Sequence, residues 1–267
     1  EFKMDNLKAL GIGNHIQKKP SFYKTFNEWC LECLQCEGGT ICPTQIFSGS
    51  PKSYRRAALK ESDCAKMKQL LDKHPLNFFI HSIYLLNLCR PQSDNMKAYD
   101  YFKKELDIGS HIGCKGVVVH VGKSLKFPLD IAIETMYINL KYLAQFATEE
   151  CPILLETPAG QGTEVLVKYE EFLAFYKRFT EEDMRKIKIC IDTCHIFAAG
   201  HEPLKYLQDW YQEYPESLVL VHFNDSKGEC GCCKDRHEYP GKGIIGLDRM
   251  IQVAEWCSSK NIPMVYE

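Results

Sequence analysis

"KIKICIDTCH" (Lys186–His195) is the stretch on which the reading of this chain turns. An isoleucine-rich run ends on Asp192, and three positions later stands His195. Short apolar runs of this kind form strands of a parallel sheet that helices cover on both faces. The Asp192-Thr193-Cys194-His195 step places a second residue able to bind a metal just past the strand, in a loop or at a helix start. If other strands end in the same way, one pattern carries both the fold and the chemistry.

Working outward, seven further runs resemble "KIKICID" (Lys186–Asp192). They are "LKALGIG" (Leu7–Gly13), "TICPTQIF" (Thr40–Phe47), "PLNFFIH" (Pro75–His81), "KGVVVHV" (Lys115–Val121), "CPILLET" (Cys151–Thr157), "LVLVHF" (Leu218–Phe223) and "IPMVYE" (Ile262–Glu267). Segments of helical period lie between them, among them "SFYKTFNEWCLECLQC", "DCAKMKQLLDKH", "IAIETMYINLKYLAQFATEE" and "YEEFLAFYKRF". Strand and helix alternate eight times, which predicts an α/β fold, a (β/α)₈ TIM barrel lacking its final helix. A doubly wound open sheet is the alternative. Residues 1–267 read as a single domain, with 1–6 as an extension. No internal repeat, linker or low-complexity tract interrupts it.

In six of these runs the last residue or the one before it can hold a cation: His81, His120, Glu156, Asp192, His222 and Glu267. In a barrel, all strand C-termini meet at one mouth, where active sites are built. His195 joins them from the loop after the sixth strand. Asp235 and His237, two apart in "DRH", point the same way if that segment is extended. His15, His74, His111 and His201 fall outside the pattern and read as structural or surface residues. The nine candidates mix imidazole with carboxylate, which suits zinc, manganese or iron, and they are too many for one ion. Two or three ions sharing a carboxylate fit. Three divalent ions would outweigh the four carboxylates and, with a bridging hydroxide, attract one phosphodiester, although the formal charge of the chain is −2.

Composition bounds the alternatives. A chain this close to neutral is not coated in positive charge, so any polyanion is met by a local patch or by bound cations. No apolar run approaches the roughly 20 residues needed to span a bilayer. The 14 cysteines are too sparse for a disulfide scaffold, and with no secretory leader they are expected as reduced thiols in an intracellular compartment, cytoplasm or nucleus. Cys30, Cys33 and Cys36 recur at helical spacing and read as small core residues. Cys230, Cys232 and Cys233 lack the paired spacing of a zinc ribbon, but their oxidation could displace Asp235 and His237.

With these residues in place, a family resemblance is evident. "LLETPAGQG" (Leu154–Gly162), "CIDTCHIFAAG" (Cys190–Gly200), "VHFNDSK" (Val221–Lys227) and "DRH" (Asp235–His237) resemble endonuclease IV, the multi-zinc apurinic/apyrimidinic endonuclease. "IHSIYLLNL" (Ile80–Leu88) resembles its third-strand motif. The resemblance implies three zinc ions, with manganese a substitute at one or more sites. One zinc would take His81, His120 and Glu156; a second Glu156, Asp192, His222 and Glu267; the third His195, Asp235 and His237. Glu156 would bridge, and Glu267 would also position or deprotonate the attacking water. The implied substrate is double-stranded DNA with an abasic site, cut on the 5′ side to leave a 3′-hydroxyl and a 5′-deoxyribose phosphate by a monomeric enzyme.

The resemblance also implies residues that wedge into the base stack. Tyr84 and Leu85 match the family's inserted pair. Lys52 stands where the family inserts an arginine, which keeps the charge but not the planar stacking fork. Arg55 or Arg56 would reach phosphates. Two rival classes stay open at this point: a sugar or sugar-phosphate isomerase with two metals, and a damage-binding scaffold without activity.

Overall fold

A computed structural model describes residues 4–36, 38–55 and 59–267. Strands β1 (Gly13–His15), β2 (Thr44–Phe47), β3 (Phe78–His81), β4 (Val117–His120), β5 (Ile153–Glu156), β6 (Ile187–Asp192), β7 (Leu218–His222) and β10 (Met264–Tyr266) close into a parallel barrel in the order β1-β10-β7-β6-β5-β4-β3-β2. Between β7 and β10, the short strands β8 (Asp225–Ser226) and β9 (His237–Glu238) pair antiparallel outside the barrel. The outer layer is formed by α1 (Met4–Ala9), α2 (Phe22–Gln35), α3 (Glu61–Lys73), α4 (Met96–Ile112), α5 (Leu129–Ala144), α6 (Tyr169–Tyr176), α7 (Glu181–Lys186), α8 (Thr193–Ala198), α9 (Pro203–Glu213) and α10 (Leu247–Ser259). None of the described helices is long and apolar enough to cross a membrane.

Seven barrel strands lie inside the segments read from the sequence; the first does not. Leu7–Gly13 is the end of α1 and a turn, not a strand. Gly11, at φ +75°, and Ile12 donate their N–H groups back to Lys8 and Leu7, a left-handed helix stop that favours glycine. Leu7 and Ile12 are both buried in the larger core, so the apolar run packs there and not in a strand. β1 begins at Gly13, so close to Pro43 that a side chain there would overlap the Pro43 carbonyl. Met4–Asn6, read as part of an extension, open α1; residues 1–3 lie outside the described residues.

The strand interior explains why the six endings converge. Phe79, Val118, Leu154, Cys190, Leu220 and Val265 form a sealed cluster of their own, apart from the larger core between strands and helices. Side chains in a strand alternate between faces. The residue two positions on from each of these six therefore faces the barrel axis one layer higher. Those residues are His81, His120, Glu156, Asp192, His222 and Glu267. Register then sets neighbours: His120 stands opposite Glu156, and Asp192 opposite His222. An apolar plug thus carries a polar layer directly on top of it.

Candidate metal centre

Glu156 sits at the middle of that polar layer, buried, and its two oxygens serve different neighbours. Oε2 lies 3.3 Å from His81 Nε2 and 3.0 Å from His120 Nε2. Oε1 lies 3.1 Å from His222 Nδ1 and 3.3 Å from His195 Nδ1. Burial opposes ionisation here, yet the charges of His120 and His222 outweigh it and hold the carboxyl well below its ordinary range. On the far side, His222 Nδ1 is 3.2 Å from Glu267 Oε2 and 3.7 Å from Asp192 Oδ2. Burial likewise disfavours the Glu267 carboxylate, but His222 and His81 bring it down to about 2.

A third cluster adjoins the second. Asp235 Oδ1 lies 3.0 Å from His237 Nε2 and 3.3 Å from His195 Nε2. His237 Nε2 is also 3.6 Å from Asp192 Oδ2, so Asp192 stands between two clusters. Burial again opposes the Asp235 carboxylate, and the hydrogen bonds of both histidines lower it strongly. The conformation that delivers these groups is local: Asp192 caps α8 by accepting the His195 N–H at 2.8 Å, and the β8–β9 hairpin sets His237 opposite Ser226.

Ligand atoms within 4.8 Å of one another fall into four groups: His81, His120 and Glu156; Glu156, Asp192, His222 and Glu267; Asp192, His195 and His237; and Cys194, Asp235 and His237. The structure therefore brings all nine predicted side chains to one mouth. Cys194 is an unforeseen addition. Cys230, Cys232 and Cys233 join no group among the described residues, and the described cysteines are all free thiols.

The donor set fits cations on a further ground. A metal-binding imidazole offers one nitrogen and fixes its other N–H on a protein acceptor. His81 Nδ1 meets the Ser82 carbonyl at 2.7 Å, and His195 Nδ1 the Thr157 carbonyl at 2.9 Å. His222 Nε2 meets Gln45 Oε1 at 2.7 Å. Each is thereby oriented with its remaining nitrogen toward carboxylates. Burial lowers the basicity of His81, His195 and His222, but the surrounding carboxylates, and at His222 first of all the Cys190 sulfur, raise it on balance, and cations bound here would compete with those protons.

Sequence reasoning missed several residues of this site. His15 ends β1 and lies 3.8 Å from Glu267 Oε1, so it belongs to the rim and is not a remote structural histidine. Misplacing the first strand hid it. Burial drives its basicity down to about 4. Gln45 and Asn224 hold Glu267 and Asp192 through hydrogen bonds, and neutral amides gave no signal in a search for ligands. His74, His111 and His201 join none of the groups.

A cavity of about 310 Å³ opens over the clusters, walled in part by Tyr84, Asn87, Lys123 and Gln161. Tyr84 and Leu85 remain 54% and 40% exposed at its edge. The Tyr84 ring is propped by Phe47, His81 and His120 at 5.5–5.6 Å. The Tyr84 backbone N–H donates to the Pro51 carbonyl at 3.2 Å, which brings the loop of Lys52 alongside. Lys52 and Arg55 are exposed, and Arg55 lines a neighbouring groove. Arg56 lies outside the described residues.

A closed parallel barrel with histidine and carboxylate clusters at its C-terminal mouth defines a metal-dependent TIM-barrel enzyme. A family model described as "xylose isomerase-like TIM barrel" matches residues 44–255. "Probable endonuclease 4" of Haloarcula marismortui is 33% identical over 232 residues, 84% of this chain and 82% of that protein. Endonuclease IV of Thermus thermophilus superposes with a TM-score of 0.78 at 25% identity, covering 96% of this chain and 91% of that one. A D-tagatose 3-epimerase-like protein, at TM-score 0.69 and 15% identity over 96% of this chain and 90% of its own, shares the fold alone. The chain belongs to the endonuclease IV family, the AP endonucleases of this fold.

Proposed function

We propose that this chain, acting as one domain, hydrolyses the phosphodiester 5′ to an abasic site in double-stranded DNA, leaving a 3′-hydroxyl and a 5′-deoxyribose phosphate, with three divalent cations, zinc foremost. The observation that carries the reading is the double clientele of Glu156, whose two oxygens face separate imidazole sets. His81, His120 and Glu156 would hold one cation, and Glu156, Asp192, His222 and Glu267 a second. The third would fall to His195, Asp235 and His237, with Asp192 within reach. Cations held by such donors activate water near neutral pH and neutralise phosphoryl oxygens.

The side chains themselves do the rest. Glu267 stays ionised, keeps Oε1 on the Gln45 amide at 2.7 Å, and turns Oε2 toward the cavity's second cluster, where it orients the attacking water. Tyr84 and Leu85 fill the stack vacated by a turned-out sugar, and Lys52 and Arg55 meet backbone phosphates. In a sugar isomerase, this exposed pair at the mouth would have no use. A duplex with one abasic-site analogue tests the reading. We expect a single nick with an extendable 3′-hydroxyl that disappears after prolonged chelation and returns with zinc or manganese; intact duplex together with isomerised sugar would refute it.

A further inference from the structure

Beyond the metal centre, the chain gathers lysines at a second hollow. Lys18, Lys24, Lys60 and Lys66 line a cavity of about 380 Å³ at the N-terminal ends of α2 and α3. Asp63 is the carboxylate in its wall, and that group is already engaged: its oxygens accept the Phe22 and Tyr23 backbone N–H groups at 2.8 and 3.1 Å. Among the described residues none of the four ammonium groups is in an ion pair, whereas Lys19, Lys103, Lys141 and Lys205 each have an acidic partner. Lys18 and Lys66 lie over the rings of Phe22 and Tyr23, at 4.7 and 5.8 Å from their centres. In a chain of formal charge −2, such clustering is local design, because like charges repel until an anion relieves them.

One residue links the hollow to the groove beside the site. Lys18 also lines a groove of about 710 Å³ that runs along His15, Phe47 and Ser50, and His15 stands 3.8 Å from Glu267. Helices α2 and α3 follow β1 and β2, so their N-termini open on the same face of the barrel as the metal centre.

We propose that this lysine-lined hollow is a backbone grip, which binds phosphodiester groups of the duplex flanking the lesion, beyond the bond that is cut. The inference rests on the reading that the substrate is duplex DNA. Each phosphate neutralised there releases condensed counterions, so the grip adds affinity that salt removes.

The test is equilibrium binding of a long duplex carrying one abasic-site analogue, across a salt series, to the metal-loaded protein. K60A/K66A should weaken binding about tenfold at low salt and flatten the slope of log affinity against log salt by about 1.8. K60R/K66R should restore both, and K68A, altering an exposed lysine further along α3, should match wild type. Cutting back one flank of the duplex should erase the difference between wild type and K60A/K66A. An unchanged slope in K60A/K66A, or a difference that survives shortening of either flank, overturns the proposal. Because the slope is read from binding, a wild-type protein that fails to nick would sink the endonuclease reading and leave this result legible.

Discussion

His222 and Gln45 meet end to end: the Nε2 of one lies 2.7 Å from the Oε1 of the other. That contact decides which nitrogen His222 offers, since Nε2–H is donated to the amide and Nδ1 is left facing Glu156 and Glu267. The same amide donates to Glu267 Oε1 at 2.7 Å and reaches His15 Nδ1 at 3.0 Å. One neutral side chain therefore orients two groups of the second cluster at once.

Removing the amide while keeping the volume should expose this role. Q45M is expected to fold normally and to lose about 10–100-fold in affinity for one cation, the usual cost of losing a partner behind a ligand. Chelator competition followed by elemental analysis measures it. Affinity within twofold of wild type would show that Gln45 orients nothing that matters.

Glu156→Gln separates a bridging role from a structural one. The substitution keeps the shape but removes the charge that four imidazoles share. We expect two of three cations to be lost and nicking to fall more than about a hundredfold, beyond the loss that a supporting residue brings. Full metal content with near-normal turnover would overturn the bridging assignment.

Why so much of this centre was legible follows from the barrel's own period. The apolar plug and the polar layer differ by two residues along six of the eight strands, as with Leu154 and Glu156 or Leu220 and His222. A strand that ends in a ligand type thus announces both where it stops and where its last side chain points. The pattern failed at β1, because the apolar residues of Leu7–Ile12 serve a helix stop and the larger core. It was also silent about hydrogen-bonding partners. Gln45 and Asp225 carry no ligand spacing, and their importance appears only when distant strands and loops are brought beside them.

Asp225 is the case with the largest structural stake. Buried, it accepts N–H groups from Ser226 and Ile245 on Oδ1, and from Gly241, Gly243 and Gly246 on Oδ2, at 2.7–3.2 Å. Gly243 is required there, since any side chain would strike Asp225 Oδ1. Asp225→Asn points an amide N–H₂ at two or three donors. We expect a loss of about 2–4 kcal/mol in unfolding free energy. Loosening of β9, which carries His237, should also weaken the third cation. Denaturant unfolding and metal stoichiometry check the two effects separately; wild-type values in both would remove Asp225 from the account.

Tyr84 and Leu85 make the opposite prediction, an effect on recognition without one on stability. Both are exposed at the mouth, so truncation at the surface should change stability by less than about 0.5 kcal/mol. A ring that stacks on a base contributes about 1–3 kcal/mol by alanine substitution. Y84A should therefore bind an abasic duplex about 10–100-fold more weakly, and L85A should add to the loss. Binding to undamaged duplex rests on backbone phosphates, which carry no information about the lesion, and should hardly change. The informative quantity is the ratio of the two affinities, measured on the same preparation. If Y84A weakens both duplexes equally, the ring only supports its loop, through its packing on Phe47, His81 and His120. A collapse of the ratio alone assigns Tyr84 to lesion recognition.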